Sequence, residues 1–281
     1  MSAVCEVDQL PDEILGLPPL PQATVRLFEI LRNESASLAD LEEIILCDQS
    51  LTAKILQMAN SAYFGSRGKI GTLSRAVMTM GFHEVKSCCL FFLLSQLLSD
   101  GSGRYRSEMA FLWKHSLAVA KMAREIVRQR PWIDPERAYT LGLLHDMGRL
   151  IMLLYYNREY RKLRPEDSSK LPLWEDEFRC EFNHSRLGRW VAIRWALPDD
   201  FRTVMEFHHI PVESPSQRTA AMIVHLADLL SQHKERPELA AGQSASDCRR
   251  QLCISDDEWG RHIKRSESIR KEAEQLWAWL G

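Results

Sequence analysis

A histidine and an aspartate stand side by side in an otherwise apolar stretch of this chain, LGLLHDMGR at residues 141–149. The apolar periodicity predicts that this stretch is the buried part of a helix that runs from Arg137 to about Tyr155. Burying His145 and Asp146 is costly unless something pairs with both of them. A divalent cation suits both side chains, because imidazole and carboxylate ligands together favour first-row metals. The pair alone is a weak signal for a metal site, and it becomes a stronger one because five further candidate ligands lie where a helical bundle could bring them to it.

Further side chains that can bind such a metal follow at intervals of about one helix plus one connection: His115, His184, His208, His209 and Asp228. Helical bundles build metal sites from ligands on different helices that point at a shared axis. Together with the pair, these residues offer nitrogen and oxygen ligands without a thiolate, which fits Fe, Mn, Zn, Mg or Ni. The set predicts either two ions bridged by Asp146, which could activate a water and clamp a phosphate, or one ion with spare supporting groups.

Each candidate also has an ordinary structural explanation. His208 and His209 precede Pro211 and so lie at a helix C-terminus, where histidine interacts favourably with the last carbonyls and the helix dipole. His184 follows a plausible helix cap, His115 could face solvent, and Asp228 could pair with an arginine. The remaining histidines are interpreted as structural, one in a turn before a helix and the others at the surface: His83, and His225, His233 and His262. A shared site explains the whole set better than separate coincidences do.

The rest of the chain predicts an all-α protein, because helical periodicity dominates and strand signals are scarce. Two helix starts are well marked, Ser37 with Asp40 as a capping box and Asp134 before Pro135. The segment SDGSG at residues 99–103 breaks helix and strand alike. It predicts a boundary between an N-terminal helical lobe, residues 1–103, and a second lobe, residues 104–281, that holds the candidate ligands and the C-terminal helices.

The net charge and the cysteine content of the chain indicate which classes of partner it binds and in which cellular compartment it occurs. The net charge is −2, which implies no global attraction to nucleic acid or to an anionic membrane. The seven cysteines form no CxxC pair, which is typical of reduced thiols in a cytoplasm. The most apolar run, residues 88–98, is shorter than the roughly 20 residues that span a bilayer, and the N-terminus lacks the pattern of a secretory signal. The sequence predicts a cytoplasmic protein that binds neither nucleic acid nor membrane.

Three N-terminal segments resemble a known family: LPPLPQA at 17–23, DQSLTAKILQMANSAYFG at 48–65 and IGTLSRAVMTMG at 70–81. They are very similar to the opening of HDOD domains, the HD-related output domains of bacterial signalling proteins. The order His115, His145-Asp146, Asp228 resembles the signature of the HD superfamily of metal-dependent phosphohydrolases. The resemblance runs from about Leu17 to about His209. It implies an HD-type multi-helix bundle with an N-terminal helical lobe, in a bacterial cytoplasmic protein of signal transduction or regulation.

The full ligand set also resembles the HD-GYP branch of that superfamily, which cleaves cyclic di-GMP at a two-metal site. This resemblance implies that Asp146 bridges two ions, one held by His115, His145 and Asp228 and the other by the remaining histidines, His184, His208 and His209. The chain departs from the branch in two places. Arg149 replaces a phosphate-binding lysine, which keeps the charge but changes the reach, and the Gly-Tyr-Pro loop is absent. Phe111 stands where some members carry a glutamate for a third metal.

Three functions follow from these resemblances, in order of preference. The first is an HDOD regulatory domain with an intact two-metal site, which binds Fe or Mn before Zn, Ni or Mg. Because the chain shows no receiver, kinase or DNA-binding segment, such a domain is expected to act on a signalling partner in trans. The alternative is an active phosphohydrolase on a nucleotide or cyclic dinucleotide, with Asp146 and Arg149 in catalysis and a phosphate-containing ligand. The third is an interaction domain that holds no metal.

Overall fold

The structure is a computed structural model that describes residues 16–32, 37–61, 64, 69–97, 106–128, 130–156, 160, 162–163, 177 and 183–280. These residues form helices joined by turns, and no β-strand occurs among them. The predicted all-α fold is confirmed. The chain divides into two compact units, one comprising Pro18–Arg104 with Glu274–Gly281 and the other comprising Met1–Leu17 with Tyr105–Ala273. The predicted boundary at residues 99–103 lies outside the described residues, so the predicted domain division stays a prediction.

The first unit contains five helices of the described chain: α1 Gln22–Arg32, α2 Leu38–Leu46, α3 Gln49–Ala59, α4 Leu73–Met80 and α5 Phe82–Leu97. Helix α2 begins with the predicted capping box, because the Ser37 side chain accepts from the Asp40 N–H and the Asp40 carboxylate accepts from the Ser37 N–H. Helix α4 ends at Gly81, whose φ of 93° is a conformation that glycine adopts readily.

In the part of the chain that the structure describes, no single helix is long and apolar enough to cross a bilayer. Leu73–Met80 and Phe82–Leu94 meet the length and composition requirement only when taken together, and they are bent by 110° at the break between them.

The second unit contains all of the candidate ligands. Its helices are α6 Arg106–Val127, α7 Pro135–Leu144, α8 Met147–Tyr155, α9 His184–Arg194, α10 Asp199–Phe207, α11 Arg218–Ser231, α12 Pro237–Ala240 and α13 Gln243–Gln251. A last helix, α14, covers Asp256–Leu280, and its residues up to Ala273 belong to this unit. A 3-10 turn, Pro211–Glu213, separates α10 from α11. Asp134 caps α7 as predicted, since its side chain accepts from the Arg137 N–H. Helix α7 packs on α6, α8 packs on α9, α9 packs on α10, and α11 packs on α6.

The predicted continuous helix from Arg137 to Tyr155 is wrong, because it is broken at the His145-Asp146 pair. Helix α7 ends at Leu144 and α8 begins at Met147. Asp146 lies between them with φ −99° and ψ 19°, a sparsely populated backbone conformation. Its side chain does not cap α8 and instead contacts Arg149. The break therefore directs the Asp146 carboxylate inward. An aspartate that caps a helix would instead bind the backbone N–H groups of that helix.

Other helix predictions differ from the structure near the C-terminus. The two final segments predicted near residues 255–257 and 267–279 are one helix, α14. Helices α12 and α13 were not predicted at all, because their residues are mostly polar and small. The helix predicted at residues 173–182 lies outside the described residues except for Glu177.

A very close helix crossing brings α8 and α9 together. A Cβ atom built on Gly148 would lie 1.8 Å from the His184 carbonyl oxygen and 2.7 Å from the Gly188 backbone nitrogen. Only a residue without a side chain fits such a crossing. The crossing places the start of α9, and with it His184, beside the break that carries Asp146.

Candidate metal centre

The ends and faces of the six helices from α6 to α11 supply the predicted ligands. His115 lies on α6, the His145-Asp146 pair lies between α7 and α8, and His184 is the first residue of α9. His208 and His209 follow the end of α10, and Asp228 lies on α11. The structure brings all of these side chains together in two groups, within each of which the potential ligand atoms lie within 4.8 Å of one another: Asp146, His184, His208 and His209, and His115, His145 and Asp228. We call these seven residues the ligand cluster.

In the first group, ring nitrogens of three histidines meet beside one carboxylate oxygen. The Nε2 atom of His184 lies 3.2 Å from Nε2 of His208 and 3.0 Å from Nε2 of His209. The same atom is 3.2 Å from Asp146 Oδ1, and His208 Nε2 is 3.6 Å from that oxygen. Three ring nitrogens and a carboxylate oxygen that lie this close together need a common partner that all of them can bind.

Hydrogen bonds at the other ring nitrogens determine which atoms carry protons. His184 Nδ1 donates to Glu177 Oε2 at 2.5 Å, and His208 Nδ1 donates to the carbonyl oxygens of Val204 and Met205. Carboxylate and carbonyl oxygens only accept, so in the neutral rings Nε2 carries a lone pair. Burial, together with Arg149, lowers the pKa of His184, which keeps that ring neutral at pH 7. The Nε2 lone pairs therefore point at each other and at a carboxylate, an arrangement that a cation stabilises.

The second group has the same organisation. His145 Nδ1 donates to the Gly142 carbonyl at 2.8 Å. The Ser231 hydroxyl donates to the Asp228 carbonyl, so its oxygen is left to accept from His115 Nδ1 at 3.2 Å. His115 Nε2 then lies 3.1 Å from Asp228 Oδ1. Burial lowers the pKa of His145 to about 4, so this ring too is neutral at pH 7.

Three buried atoms that face into the ligand cluster have no hydrogen-bond partner among the described residues: His115 Nε2, His145 Nε2 and Asp146 Oδ1. Both of these Nε2 atoms are 3.6 Å from Asp146 Oδ2. A buried polar atom without a partner is costly, and a bound cation would supply the missing partner for each of them. The nitrogen and oxygen donors of both groups therefore fit a divalent metal.

The two aspartates are held in the ionised form that metal binding requires. Burial alone would raise the pKa of Asp146, but Arg149, His145 and His184 outweigh it and hold this pKa well below its usual range. For Asp228, burial is likewise outweighed by His115 and His145, and the pKa is lowered. Asp146 Oδ1 faces the first group and Oδ2 faces the second. The assignment of individual metal ligands stays a prediction.

Arg149 is enclosed by acidic groups. Its Nε donates to Asp146 Oδ2 at 2.9 Å, and its Nη1 donates to Glu177 Oε1 at 2.5 Å. Tyr160, also buried, interacts with the same guanidinium. Arg149 is only 2% exposed. These contacts hold the guanidinium inside the protein, and the predicted contact of Arg149 with a phosphate stays a prediction.

Glu177 is a residue of the site that the sequence did not reveal. It is fully buried and connects Arg149 to the backbone N–H and the Nδ1 of His184. Carboxylates that accept the second N–H of a metal-binding histidine fix the orientation of its ring. No motif or periodicity marks Glu177, because its importance comes from two partners that are distant along the chain.

His225 was predicted at the surface, and this prediction is wrong. Its ring is buried, with Nδ1 donating to the His208 carbonyl at 2.7 Å and Nε2 accepting from the Ser244 hydroxyl at 2.7 Å. Burial lowers its pKa to about 4. His225 therefore supports the backbone that presents His208. His262 was also predicted at the surface and is buried, whereas His83 lies in the first turn of α5 and His233 is half-buried just beyond α11.

The sequence pattern of the HDOD domain matches residues 17–211, more than half of the chain. The chain belongs to the HDOD family. The match confirms the resemblance of the N-terminal segments. An uncharacterized protein of Treponema pallidum is 25% identical over 216 residues, which are 73% of this chain and 40% of that protein. The chain spans less than half the length of the curated relatives it matches.

Solved structures share the fold of this HDOD chain. A proposed signal transduction protein from Marinobacter aquaeolei matches with a TM-score of 0.77 and 20% identity, over 95% of this chain and 60% of that one. A proposed phosphohydrolase from Shewanella amazonensis matches with a TM-score of 0.71 and 19% identity, over 96% of this chain and 97% of that one. At these identities the similarity shows the fold alone.

Replacing Glu177 tests its role in orienting His184. We expect Glu177→Gln to weaken metal binding by about tenfold, because a neutral amide holds the His184 Nδ1–H less firmly. The measurement is a metal titration against a competing chelator. Glu206→Gln is the control, since Glu206 forms a 2.8 Å ion pair with Arg189, between α9 and α10, and both of these side chains are partly exposed. Equal metal affinity of Glu177→Gln and Glu206→Gln would contradict the orienting role.

Proposed function

We propose that this HDOD domain is a metal-dependent regulatory module that binds divalent ions in the ligand cluster and acts on a signalling partner in trans. The observation that carries the proposal is the convergence of histidine ring nitrogens on the carboxylates of Asp146 and Asp228. The described residues alone give His115 Nε2, His145 Nε2 and Asp146 Oδ1 no hydrogen-bond partner. The free energy of metal binding adds to the free energy of folding. Binding of the ions would therefore change the stability and the surface of such a module.

We propose two ions, with Asp146 as the bridging ligand. The first group would hold one ion and the second group the other. Fe or Mn are the preferred ions, with Zn, Ni or Mg as alternatives, because the donors are imidazole and carboxylate. Ions in such a pair polarise a phosphoryl oxygen and hold an oxoanion between them. The residues of this chain supply the negative charge through Asp146 and Asp228, and hydrogen bonds at Nδ1 fix the rings of four of the histidines: His115, His145, His184 and His208.

A regulatory role is preferred over hydrolysis because the ligand cluster is buried and Arg149 is bound to acidic side chains of the protein. His184 and His208 are fully buried, and Asp146 is 4% exposed. Arg149 donates to Asp146 and Glu177, so two of its N–H groups are used inside the protein. The alternative function is a phosphohydrolase acting on a nucleotide or cyclic dinucleotide, with Asp146 and Arg149 in catalysis. Its support is the fold that the chain shares with the S. amazonensis protein described as a proposed phosphohydrolase.

One experiment separates these functions. The chain is purified without oxygen, its metal content is measured, and it is loaded with Fe or Mn and tested for turnover of bis(p-nitrophenyl) phosphate and cyclic di-GMP. We expect bound metal and no turnover of either substrate. Turnover that disappears in Asp146→Asn would establish the phosphohydrolase instead. A chain that binds no metal under any of these conditions would contradict both functions and leave an interaction domain.

The proposed partner is a signalling protein, and a phosphate-containing small molecule is the proposed ligand of the cluster. The net charge of −2 supports the absence of nucleic acid and of anionic membranes among the partners. A cytoplasmic location stays part of the proposal, with the unpaired cysteine pattern as its support. Among the described cysteines, Cys47, Cys88, Cys89, Cys248 and Cys253 are free thiols.

A further inference from the structure

Helix α11 carries three polar side chains at intervals of three residues, His225, Asp228 and Ser231. Residues at this spacing lie on one face of a helix. Asp228 is itself part of the ligand cluster, and the Ser231 hydroxyl accepts from His115 Nδ1 at 3.2 Å. His225 Nδ1 donates to the His208 carbonyl at 2.7 Å. This face of α11 therefore holds a residue of each group in place, His115 by its ring and His208 by its backbone.

The hydrogen bond from His225 fixes the position of the end of α10. His208 follows that end, where the last carbonyls of a helix have no partner within the helix. The His208 ring is bonded through Nδ1 to two carbonyls of α10, so the ring and the helix end move together. A shift of the His208 backbone would therefore change the distances from its Nε2 atom to His184 and Asp146.

The second nitrogen of His225 connects the buried ring with the protein surface. Its Nε2 lies 2.7 Å from the hydroxyl oxygen of Ser244, an exposed residue in the first turn of α13. A serine hydroxyl can donate or accept, so this bond forms whichever protonation state the ring has. Ala245 and Cys248 bury the inner face of α13. An exposed hydroxyl on α13 is thus joined through one buried ring to the backbone of a candidate metal ligand.

We propose that Ser244 is a positioning residue of the ligand cluster and couples the docking of α13 on α11 to metal binding. This inference rests on the proposed metal-binding function and specifies its regulation. The hydroxyl holds the His225 ring, and the ring holds the helix end that presents His208. Such coupling is reciprocal, so bound metal stabilises the docked α13 by the same factor by which docked α13 raises metal affinity. A signalling partner that binds α13 would therefore sense whether metal is bound.

Replacing Ser244 tests the proposal through metal affinity. We expect Ser244→Ala to weaken Mn²⁺ binding by about fivefold, the lower end of the usual coupling between two sites. The measurement is a titration of the metal-free chain against a competing chelator. Ser244→Thr keeps the hydroxyl and should bind Mn²⁺ like the natural chain. Ser246→Ala is the matched control, because Ser246 lies in the same helix and its hydroxyl donates to the Gly242 carbonyl beside that helix at 3.1 Å.

The outcomes of this titration separate the inference from the proposed function. Equal Mn²⁺ affinity of Ser244→Ala and Ser246→Ala would overturn the inference and leave the proposed metal binding intact. The same loss of affinity in Ser244→Thr as in Ser244→Ala would also overturn it, since the hydroxyl would then not be the group that acts. A natural chain that binds no Mn²⁺ would overturn the proposed function, and the inference with it.

A double-mutant cycle shows whether the effect of Ser244 passes through His225. His225→Asn keeps an N–H donor near the place of Nδ1 but removes the nitrogen that Ser244 contacts. In the His225→Asn chain we expect Ser244→Ala to change Mn²⁺ affinity no further, because the two side chains no longer interact. An equal loss in both chains would show that Ser244 acts by another route, and the proposal would be wrong.

Hydrogen exchange tests the coupling in the reverse direction. We expect Mn²⁺ to slow amide exchange at residues 243–251 of the natural chain, because bound metal stabilises the docked α13. The slowing should be smaller in Ser244→Ala than in Ser246→Ala. Exchange at these residues that is the same with and without Mn²⁺ would contradict the coupling. This measurement on the natural chain decides the inference even if Ser244→Ala does not fold.

Discussion

Asp146→Asn is expected to abolish stable metal binding, with a loss of affinity greater than about a hundredfold. Loss of a supporting residue outside the metal ligands typically costs up to about a hundredfold, and Asp146 faces both groups of ligands with its two oxygens. Asparagine keeps the size of the side chain but removes the charge and one of the two oxygens that could bind metal. Elemental analysis and titration against a competing chelator measure the loss directly.

The matched control for this change is Asp134→Asn. Asp134 caps α7 and accepts from the Arg137 N–H, and asparagine caps a helix about as well as aspartate. We expect Asp134→Asn to bind metal like the natural chain. Circular dichroism of the metal-free proteins establishes that both variants are folded. Unchanged metal content in folded Asp146→Asn would mean that the two groups do not share a bridging carboxylate.

The local parts of the fold could be predicted from the sequence, because their causes are local. The capping box of Ser37 with Asp40 and the cap of Asp134 depend on residues three positions apart, and both occur as predicted. The spacing of the candidate ligands along the chain also predicted their convergence, because each helix of a bundle can present one inward side chain. Such features require only the order and type of neighbouring residues.

The break at His145-Asp146 could not be predicted, because its cause is tertiary. The residues from 141 to 149 contain no proline, and their apolar spacing fits a continuous helix. The helix ends there because Asp146 turns towards Arg149 and the histidines rather than towards solvent. Glu177 and His225 were missed for the same reason, since their partners Arg149 and Ser244 are brought near only by folding.

Gly148→Ala is expected to destabilise the second unit by about 3 kcal/mol or more, which is at or above the upper end of the usual cost of overpacking. The added Cβ would lie 1.8 Å from the His184 carbonyl oxygen and 2.7 Å from the Gly188 nitrogen. Both are backbone atoms, so a change of side-chain rotamer cannot relieve the contact, and α8 must move away from α9. Chemical denaturation of the metal-free variant measures the change in the free energy of unfolding.

The same substitution at another helical glycine is expected to raise the free energy of unfolding instead of lowering it. A Cβ on Gly260, in α14, meets no atom within 4 Å, so Gly260→Ala should stabilise the chain by up to about 1 kcal/mol by restricting the unfolded state. Separation of α8 from α9 in Gly148→Ala would also carry His184 away from Asp146, and metal affinity should fall with stability. Gly148→Ala protein with the stability and metal affinity of Gly260→Ala would show that the helix crossing does not position His184. The requirement for glycine two residues after Asp146 would then need another explanation.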